Sequence, residues 1–229
     1  MIFPSEGMLL PLTPHALRMM PGVDFRLLLV TDRHQTNGRP LVPLLQRVLT
    51  AAVPAIQLRE RDLSARELVR LAHEVQAVTA SCRSQLLIND RIDVALALEG
   101  VGVHLRSNSL PVSVARHLLG EQRLLGVSVH AVEEVMEAES QGADYIVLGP
   151  IYETPSKQMF GPPLGIHTLE KACRLVRIPI IGIGGVTAAR AYEMRRAGAF
   201  GVAVITAILG AADVESATHE LLDAVTRLP

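Results

Sequence analysis

The stretch IPIIGIGGVTAARAYEMRRAGAFGVAVITAILG, residues 178–210, contains the repeating unit on which the fold prediction depends. It opens with an apolar run, IPIIGI, passes through a glycine turn, continues with helical spacing and reaches a second apolar run, GVAVI. Strands that are apolar throughout, rather than alternating, are buried on both faces, as in parallel sheets covered by crossover helices. The stretch therefore predicts a parallel β-α-β unit.

The same alternation recurs along the chain from Phe25 onward. Eight short apolar runs, the first FRLLLVT and the last GVAVI, each precede a stretch of helical periodicity. Helix starts are marked locally, because Ser64 and Glu67 fit a capping box and Thr187 can cap the seventh predicted helix. Eight such units predict an α/β fold, a (β/α)8 TIM barrel in a single domain. A doubly wound open sheet is the alternative, since strand number alone does not establish closure.

Residues 1–24 differ from the rest of the chain. They carry four prolines, no basic region and no unbroken apolar run. This composition favours an irregular N-terminal extension ahead of a barrel domain at 25–229, and it matches neither a signal peptide nor a membrane span.

Charge and cysteine content narrow the classes of partner. The net charge of −1 supplies no basic field for a nucleic acid. The two cysteines, Cys82 and Cys173, show no pairing or metal-ligand spacing, which suits a reducing cytoplasm. We therefore expect a cytoplasmic protein whose partner is a small-molecule substrate, with no nucleic acid and no membrane as partner.

Polar residues gather directly after the predicted strands. In a (β/α)8 barrel these positions share one rim, where active sites lie. In chain order they are Asp32 and Arg33; Arg59, Glu60 and Arg61; Asn89 and Asp90; His104 and Arg106; His130; the loop that begins at Gly149; Gly182 to Gly185; and Ile205 with Thr206. This clustering predicts a polar pocket on the rim above strand interiors that stay apolar.

The loops after strands seven and eight predict a phosphate site. Glycines without Cβ, here Gly184 and Gly185, let an oxyanion approach backbone N–H groups, and these two loops are the usual phosphate site of such barrels. The TAILG segment can form a short helix that follows Ile205, with Thr206 as a donor. A plain tight turn is the alternative interpretation.

The loop after strand six carries hydroxyl and cationic side chains. Thr154, Ser156 and Lys157 stand together in ETPSK, and Lys157 is one of only two lysines in the chain. A cationic loop beside a pocket can close over an anion and exclude water, so we predict that these residues bind substrate. A solvated surface lysine is the alternative.

His130 stands at the joint between the fifth predicted strand and its helix, in GVSVH-AVEEV. A neutral imidazole can take or give a proton, which suits general acid–base catalysis. A histidine that caps its own helix is the structural alternative.

Seven segments of the chain form a recognisable set. They are IQLRERD, LLINDRIDVAL, VGVHL, GVSVH, GADYIVLGPIYETPSK, IPIIGIGGVT and AGAFGVAVITAI. Together, and in this order from about Phe25 to Leu209, they resemble the thiamine phosphate synthase and TenI superfamily of (β/α)8 barrels. Related barrels are commonly homodimers, so a homodimer is what the resemblance implies.

The synthase branch of this superfamily joins hydroxymethylpyrimidine pyrophosphate to a thiazole phosphate and releases pyrophosphate. The resemblance to it implies substrate contacts by Arg59, Asn89, Asp90, Thr154, Ser156 and Lys157, with Asp90 as a ligand of magnesium. Two departures are visible. Arg61 replaces a lysine, and the family's G-Q-x-D reads RSNS, which puts Ser109 where a second metal carboxylate is expected. A hydroxyl there removes one negative charge from the magnesium site.

TenI-type thiazole tautomerases aromatise the thiazole phosphate carboxylate by moving a proton, and they need no metal. Their R-E-R motif and their histidine match this chain, so the primary prediction is a thiazole tautomerase without a cofactor. Gly184, Gly185 and Thr206 would hold the phosphate, His130 would move the proton, and Arg59 with Arg61 would bind the ring carboxylate. Thiamine phosphate synthase with magnesium is the alternative, and a non-catalytic phosphate-ligand binder is the third hypothesis.

Overall fold

The computed structural model describes residues 22–154 and 162–227. Eight short strands lie in these ranges, and each of them is a fully or almost fully buried run of sequence. The strands are β1 Leu27–Val30, β2 Ala55–Leu58, β3 Gln85–Asn89, β4 Gly102–Leu105, β5 Leu125–Val129, β6 Tyr145–Leu148, β7 Ile180–Ile183 and β8 Gly201–Val204.

The strands close into a barrel in sequence order, and every neighbouring pair is parallel. Closure is made by β1 and β8, where Leu29 lies opposite Val204, while on its other side Leu29 lies opposite Ile56 of β2. The predicted (β/α)8 TIM barrel is confirmed, and the open-sheet alternative is wrong because no free sheet edge separates β1 from β8.

Nine α-helices lie within the described residues and surround the barrel. The predicted start signals are confirmed: Ser64 and Glu67 form a capping box, and the Thr187 side chain accepts a hydrogen bond from the Arg190 N–H. The helices are α1 Leu41–Thr50, α2 Ala65–Ser81, α3 Ile92–Leu96, α4 Val112–Leu119, α5 Glu133–Ser140, α6 Ile166–Leu175, α7 Ala188–Arg196, α8 Thr206–Leu209 and α9 Val214–Thr226.

The core has two layers. A large apolar layer lies between the strands and the helices, and a smaller apolar cluster fills the barrel interior, with Phe25, Leu28 and Tyr145 among its members. The prediction that the strand interiors stay apolar is wrong in part, because buried side chains of Gln57 and His104 also point into the barrel. These polar groups are tolerated because each is hydrogen-bonded.

An ion pair buried beneath the helices braces the segment between α4 and β6. Arg116 Nη2 lies 2.6 Å from Asp144 Oδ2, and the two side chains are 9% and 2% exposed. Asp144 also accepts the Leu125 N–H at 2.8 Å, while Arg116 donates to the carbonyls of Gly120 and Gly142. A buried charge pair of this kind stabilises only when its remaining donors and acceptors are satisfied, as they are for the Arg116 guanidinium.

The predicted boundary between an extension at 1–24 and a barrel at 25–229 remains a prediction, because residues 1–21 lie outside the described ranges. Within residues 22–154 and 162–227, no helix combines the length and the apolar character that crossing a membrane requires.

Candidate active site

The rim formed by the carboxyl ends of the strands carries most of the predicted site residues. Since all eight strands are parallel, residues that follow them emerge at the same end of the barrel. Arg59 and Arg61 follow β2, Asn89 ends β3, Asp90 follows it, His130 follows β5, Gly184 and Gly185 follow β7, and Ile205 and Thr206 follow β8.

A cavity of about 140 Å³ lies between the ends of β2, β3 and β4. Three predicted residues, Arg61, Asn89 and Asp90, line it together with Arg106. The sequence places Arg106 on the rim but assigns it no role. His130, Gly184, Gly185 and Thr206 do not line this cavity.

Asp90 is held in an unusual backbone conformation. Its φ of 66° lies in the left-handed region, and its N–H donates to the His104 carbonyl at 2.8 Å. Left-handed backbone is uncommon outside glycine, though aspartate and asparagine adopt it more readily than other residues. The conformation lies between β3 and α3 and aims the carboxylate toward the turn that follows β4.

Both carboxylate oxygens of Asp90 accept hydrogen bonds. Oδ2 accepts from Arg106 Nε at 2.8 Å and lies 2.6 Å from Arg106 Nη2. Oδ1 accepts from the Ser109 hydroxyl, which in turn accepts the Arg106 N–H at 3.0 Å. Asp90, Arg106 and Ser109 thus form a closed hydrogen-bonded ring between the β3 and β4 loops.

This ring does not fit the magnesium site that the synthase resemblance implies. Magnesium is usually held by one or two carboxylates, water and substrate phosphates. Here the guanidinium of Arg106 takes the cationic position at Asp90, and position 109 supplies a hydroxyl. Within the described ranges, no three His, Cys, Asp or Glu side chains are grouped closely enough to hold a metal ion.

Arg59 and Arg61 add positive charge beside the ring. Burial lowers the pKa of Arg59, and the nearby charge of Arg61 lowers it further, with a smaller contribution from Arg106. Arg59 lies 3.7 Å from Asp32, whereas Arg61 is exposed and forms no ion pair within residues 22–154 and 162–227. The three guanidiniums concentrate positive charge on one side of the rim, which suits a polyanion.

Glu60, between the two arginines, has a structural role. Its buried carboxylate accepts hydrogen bonds from the Thr31 hydroxyl at 2.7 Å and from Arg33 at 3.2 Å. The Arg59 N–H donates to the same Thr31 hydroxyl at 2.9 Å. These bonds fix the β2 loop against β1 and so orient the arginines on either side of Glu60.

Gln57, which is not among the predicted site residues, orients Asn89. Gln57 Nε2 donates to Asn89 Oδ1 at 2.9 Å, and both side chains are buried. The available signal is the polar residue inside the otherwise apolar strand AIQL. By fixing the amide oxygen of Asn89, Gln57 determines that the Asn89 NH2 group is the donor available to other groups.

His104 is a buried interior residue rather than a rim residue. Its ring nitrogens lie 2.9 Å from the Tyr145 hydroxyl and 2.9 Å from the Ser128 hydroxyl. Burial lowers the pKa of His104 to about 3, so the ring is neutral at pH 7. His104 is therefore a packed barrel residue, and its side chain points into the barrel below the rim and not into the polar pocket.

His130 is exposed at the end of β5, and its ring is oriented by β6. Nδ1 lies 2.5 Å from the Gly149 carbonyl oxygen. Because a carbonyl only accepts, Nδ1 carries the proton and Nε2 is the nitrogen left to exchange one. The alternative that the His130 side chain caps its helix is wrong, since α5 begins three residues later and the ring bonds the Gly149 carbonyl; it is the His130 backbone N–H that contacts the first turn of α5, by donating to Glu134 Oε2 at 2.7 Å.

The loops after β7 and β8 contain the glycine turn and the short helix that the sequence predicts, and the loop after β6 packs against the glycine turn. Gly184 and Gly185 have φ of 101° and 63°, and a Cβ on Gly185 would lie 2.5 Å from the Glu153 carbonyl oxygen. The short helix α8 begins at Thr206, directly after Ile205. A binding role of these residues for phosphate remains a prediction.

The loop after β6 is described only at its two ends. Tyr152 is held by its hydroxyl, which donates to Glu193 at 2.5 Å, and by Arg190, which stacks over its ring at 4.6 Å. Thr154 is the last described residue before the gap, and Ser156 and Lys157 lie outside the described residues. Anion binding by Thr154, Ser156 and Lys157 therefore remains a prediction.

Comparison with known proteins identifies the family. The family profile described as "Thiamine monophosphate synthase" matches residues 27–208. The thiamine-phosphate synthase of Moorella thermoacetica is 42% identical over 91% of this chain and 98% of that protein. That of Roseiflexus castenholzii is 42% identical over 85% of each.

A solved structure agrees with these matches. The thiamine phosphate pyrophosphorylase from Pyrococcus furiosus superposes with a TM-score of 0.80 at 33% identity, over 88% of this chain and 95% of that one. These names favour the synthase alternative over the tautomerase prediction, and the predicted closeness to the TenI branch is not confirmed. The chain belongs to the TMP-TENI family of thiamine monophosphate synthases and is an enzyme of thiamine biosynthesis.

Proposed function

We propose that the protein is a thiamine phosphate synthase, which couples hydroxymethylpyrimidine pyrophosphate to thiazole phosphate. The observation that carries this proposal is the 42% identity, over nearly full length, to proteins named thiamine-phosphate synthase. The proposal reverses the order of the two hypotheses drawn from the sequence, in which the tautomerase came first.

The cationic side of the rim supports the proposal. In the reaction, the bond between the pyrimidine methylene carbon and the diphosphate oxygen breaks, and the thiazole nitrogen forms a new bond to that carbon. Diphosphate leaves with the bonding electrons, so negative charge develops on it. Arg59 and Arg61, with Asn89 beside them, are proposed to bind this group, because guanidiniums match phosphate oxygens in pairs and stabilise developing charge.

The second substrate is proposed to bind across the barrel mouth. The N–H groups of Gly184 and Gly185 and the start of α8, at Ile205 and Thr206, are the proposed contacts for the thiazole phosphate. A tautomerase would use the same anchor, so this part of the site does not separate the two functions. The cationic side differs in its ligand, because a synthase would bind a diphosphate there and a tautomerase the ring carboxylate.

The tautomerase remains a second candidate because of one observation. The bond from His130 Nδ1 to the Gly149 carbonyl leaves Nε2 as an exposed proton acceptor on the rim. General acid–base catalysis by such a ring is sufficient for moving one proton on a thiazole. In the synthase, the same nitrogen is proposed to hydrogen-bond the bound substrate.

The test uses both candidate reactions on the same preparation. Purified protein is incubated with hydroxymethylpyrimidine pyrophosphate and thiazole phosphate, with and without magnesium, and thiamine phosphate is quantified by chromatography. A parallel sample receives the unaromatised thiazole phosphate carboxylate. We expect thiamine phosphate in the first reaction at well above the rate without protein. Tautomer conversion without thiamine phosphate would favour the second candidate, and neither product would favour a non-catalytic binder.

A further inference from the structure

The carboxylate of Asp90 has a cationic partner within the chain itself. Arg106 contacts Asp90 Oδ2 through both Nε and Nη2, so two nitrogens of the guanidinium share one carboxylate oxygen in a charge-assisted contact. The Arg106 side chain is 42% exposed and lines the cavity, so its outer surface faces solvent. A guanidinium has five N–H donors, and Nη1 of Arg106 donates no hydrogen bond within the described residues.

We propose that the Arg106 guanidinium takes the place of a divalent cation beside Asp90 and binds the diphosphate group directly, so that diphosphate binding needs no metal ion. The inference deepens the proposed function and rests on it for the identity of the diphosphate donor. It concerns a residue to which the sequence analysis gave no role.

Electrostatic balance in the cavity supports this assignment. An unpaired Asp90 carboxylate, 22% exposed, would repel a diphosphate, and Arg106 neutralises it. Arg61 has no ion-pair partner among the described residues. Arg59 lies close enough to Arg61 for the two positive charges to repel each other. The cavity is lined by Arg61, Arg91 and Arg106 against the two carboxylates of Glu60 and Asp90, so its wall is net positive without any metal, which is the requirement for holding a polyanion.

The position of Ser109 also supports the assignment of Arg106 as the cation beside Asp90. The Ser109 hydroxyl accepts a hydrogen bond from the Arg106 backbone N–H and donates one to Asp90 Oδ1. It therefore stabilises the turn that places the Arg106 side chain against Asp90. A cation at Asp90 would have to displace both donors and would approach the guanidinium, a like charge. The arrangement favours a resident guanidinium over an exchangeable cation.

The first experiment measures binding of inorganic pyrophosphate by calorimetry in a metal-free buffer with chelator. We expect saturable binding by the wild type. We expect Arg106→Gln to weaken it about 10- to 100-fold, the loss typical of a charge-assisted hydrogen bond, and Arg106→Lys to weaken it less. Arg174→Gln is the control, because Arg174 pairs with Glu170 on the exposed face of α6. Thermal melts of each variant show whether a loss of binding reflects unfolding.

The second experiment titrates Mn²⁺ and follows the free ion by electron paramagnetic resonance. We expect no Mn²⁺ binding by the wild type below millimolar concentration. The double variant Arg106→Gly with Ser109→Asp removes the guanidinium and adds a carboxylate in contact range of Asp90, and we expect it to bind Mn²⁺ at least about tenfold more tightly. Tight Mn²⁺ binding by the wild type would overturn the inference.

The two proposals fail in different ways. Pyrophosphate binding that depends on Arg106 but comes without thiamine phosphate formation would overturn the synthase function and leave the inference intact. Thiamine phosphate formation that is abolished by chelator, with pyrophosphate binding unaffected by Arg106→Gln, would overturn the inference and leave the function intact.

Discussion

The Nδ1 atom of His130 lies 2.5 Å from the carbonyl oxygen of Gly149, across the ends of two neighbouring strands. This bond fixes both the tautomer and the direction of the imidazole, because the carbonyl can only accept. Gly149 is itself constrained, since a Cβ there would lie 2.4 Å from the Ile183 carbonyl oxygen. The positions of β5, β6 and β7 therefore determine the direction in which the His130 ring faces on the rim.

His130→Ala separates the two candidate chemistries. If His130 only donates or accepts one hydrogen bond in the synthase reaction, thiamine phosphate formation should fall by less than about 20-fold. If it is the acid–base group of a tautomerase, tautomer conversion should fall about 10²- to 10⁴-fold. Steady-state kinetics of both reactions measure this, with His130→Gln as the variant that keeps a hydrogen-bonding group. A fall of 10³-fold or more in thiamine phosphate formation would contradict the hydrogen-bond role.

Arg61→Gln should lower activity without lowering stability. Arg61 is exposed and unpaired within the described residues, so the free energy of unfolding should change by less than about 0.5 kcal/mol. The kcat/KM for the pyrimidine pyrophosphate should fall about 10- to 100-fold and should lose part of its dependence on salt concentration. Arg174→Gln is the matched control on α6. Unchanged kinetics for Arg61→Gln would remove Arg61 from the diphosphate site.

Gly185→Ala should destabilise the protein through both backbone strain and a clash. A left-handed alanine costs about 1–2 kcal/mol, and the new Cβ would lie 2.5 Å from the Glu153 carbonyl oxygen. Gly38→Ala is the control for strain alone, because Gly38 has a φ of 75° and nothing within 4 Å of the added Cβ. Urea unfolding should give a larger loss for Gly185→Ala, and equal losses would show that the loop moves freely.

Arg116→Met should be among the most destabilising single changes. It leaves Asp144, whose side chain is 2% exposed, as an uncompensated buried charge. Breaking a buried pair by removing one partner typically costs about 3–5 kcal/mol. Arg174→Gln, which breaks an exposed pair, should cost less than about 1 kcal/mol. Similar midpoints for the two variants in urea would contradict the bracing role of Arg116.

The acid sensitivity of the fold should depend on His104. Burial lowers the pKa of His104 to about 3, so between pH 6 and pH 3 the unfolded chain binds a proton there that the folded chain does not. The neutral His104 ring therefore makes its full contribution to the free energy of unfolding above the pKa that histidine has in the unfolded chain. This contribution is lost as pH falls, at up to about 1.4 kcal/mol per pH unit. His104→Gln should flatten the dependence of unfolding free energy on pH below 6. An unchanged slope would show that other groups dominate.

The barrel could be predicted from the sequence because each strand is a short, continuous apolar run bounded by turn and cap residues. A strand that is buried on both faces needs apolar residues at every position, so this pattern can be recognised in the sequence without knowledge of the tertiary contacts. The helix starts at Ser64 and Thr187 are equally local. The number of strands alone does not establish that β1 pairs with β8, but eight successive β-α units favour the closed barrel that the structure has.

The candidate site could be predicted only in part, because its decisive contacts join distant segments. Arg106 and Asp90 are 16 residues apart, and their pairing depends on the left-handed backbone at Asp90. The sequence drew attention to the missing carboxylate at position 109, but it did not show that the arginine three residues earlier places a positive charge against Asp90. Gln57 was missed because it belongs to the barrel interior, where an apolar residue was expected.

The most direct test of the account is the rate of thiamine phosphate formation from hydroxymethylpyrimidine pyrophosphate and thiazole phosphate, measured for the wild type and for Arg61→Gln. We expect steady product formation by the wild type and a fall of about 10- to 100-fold in kcat/KM for the variant. The absence of thiamine phosphate with the wild type, while the same preparation converts the thiazole tautomer, would contradict it.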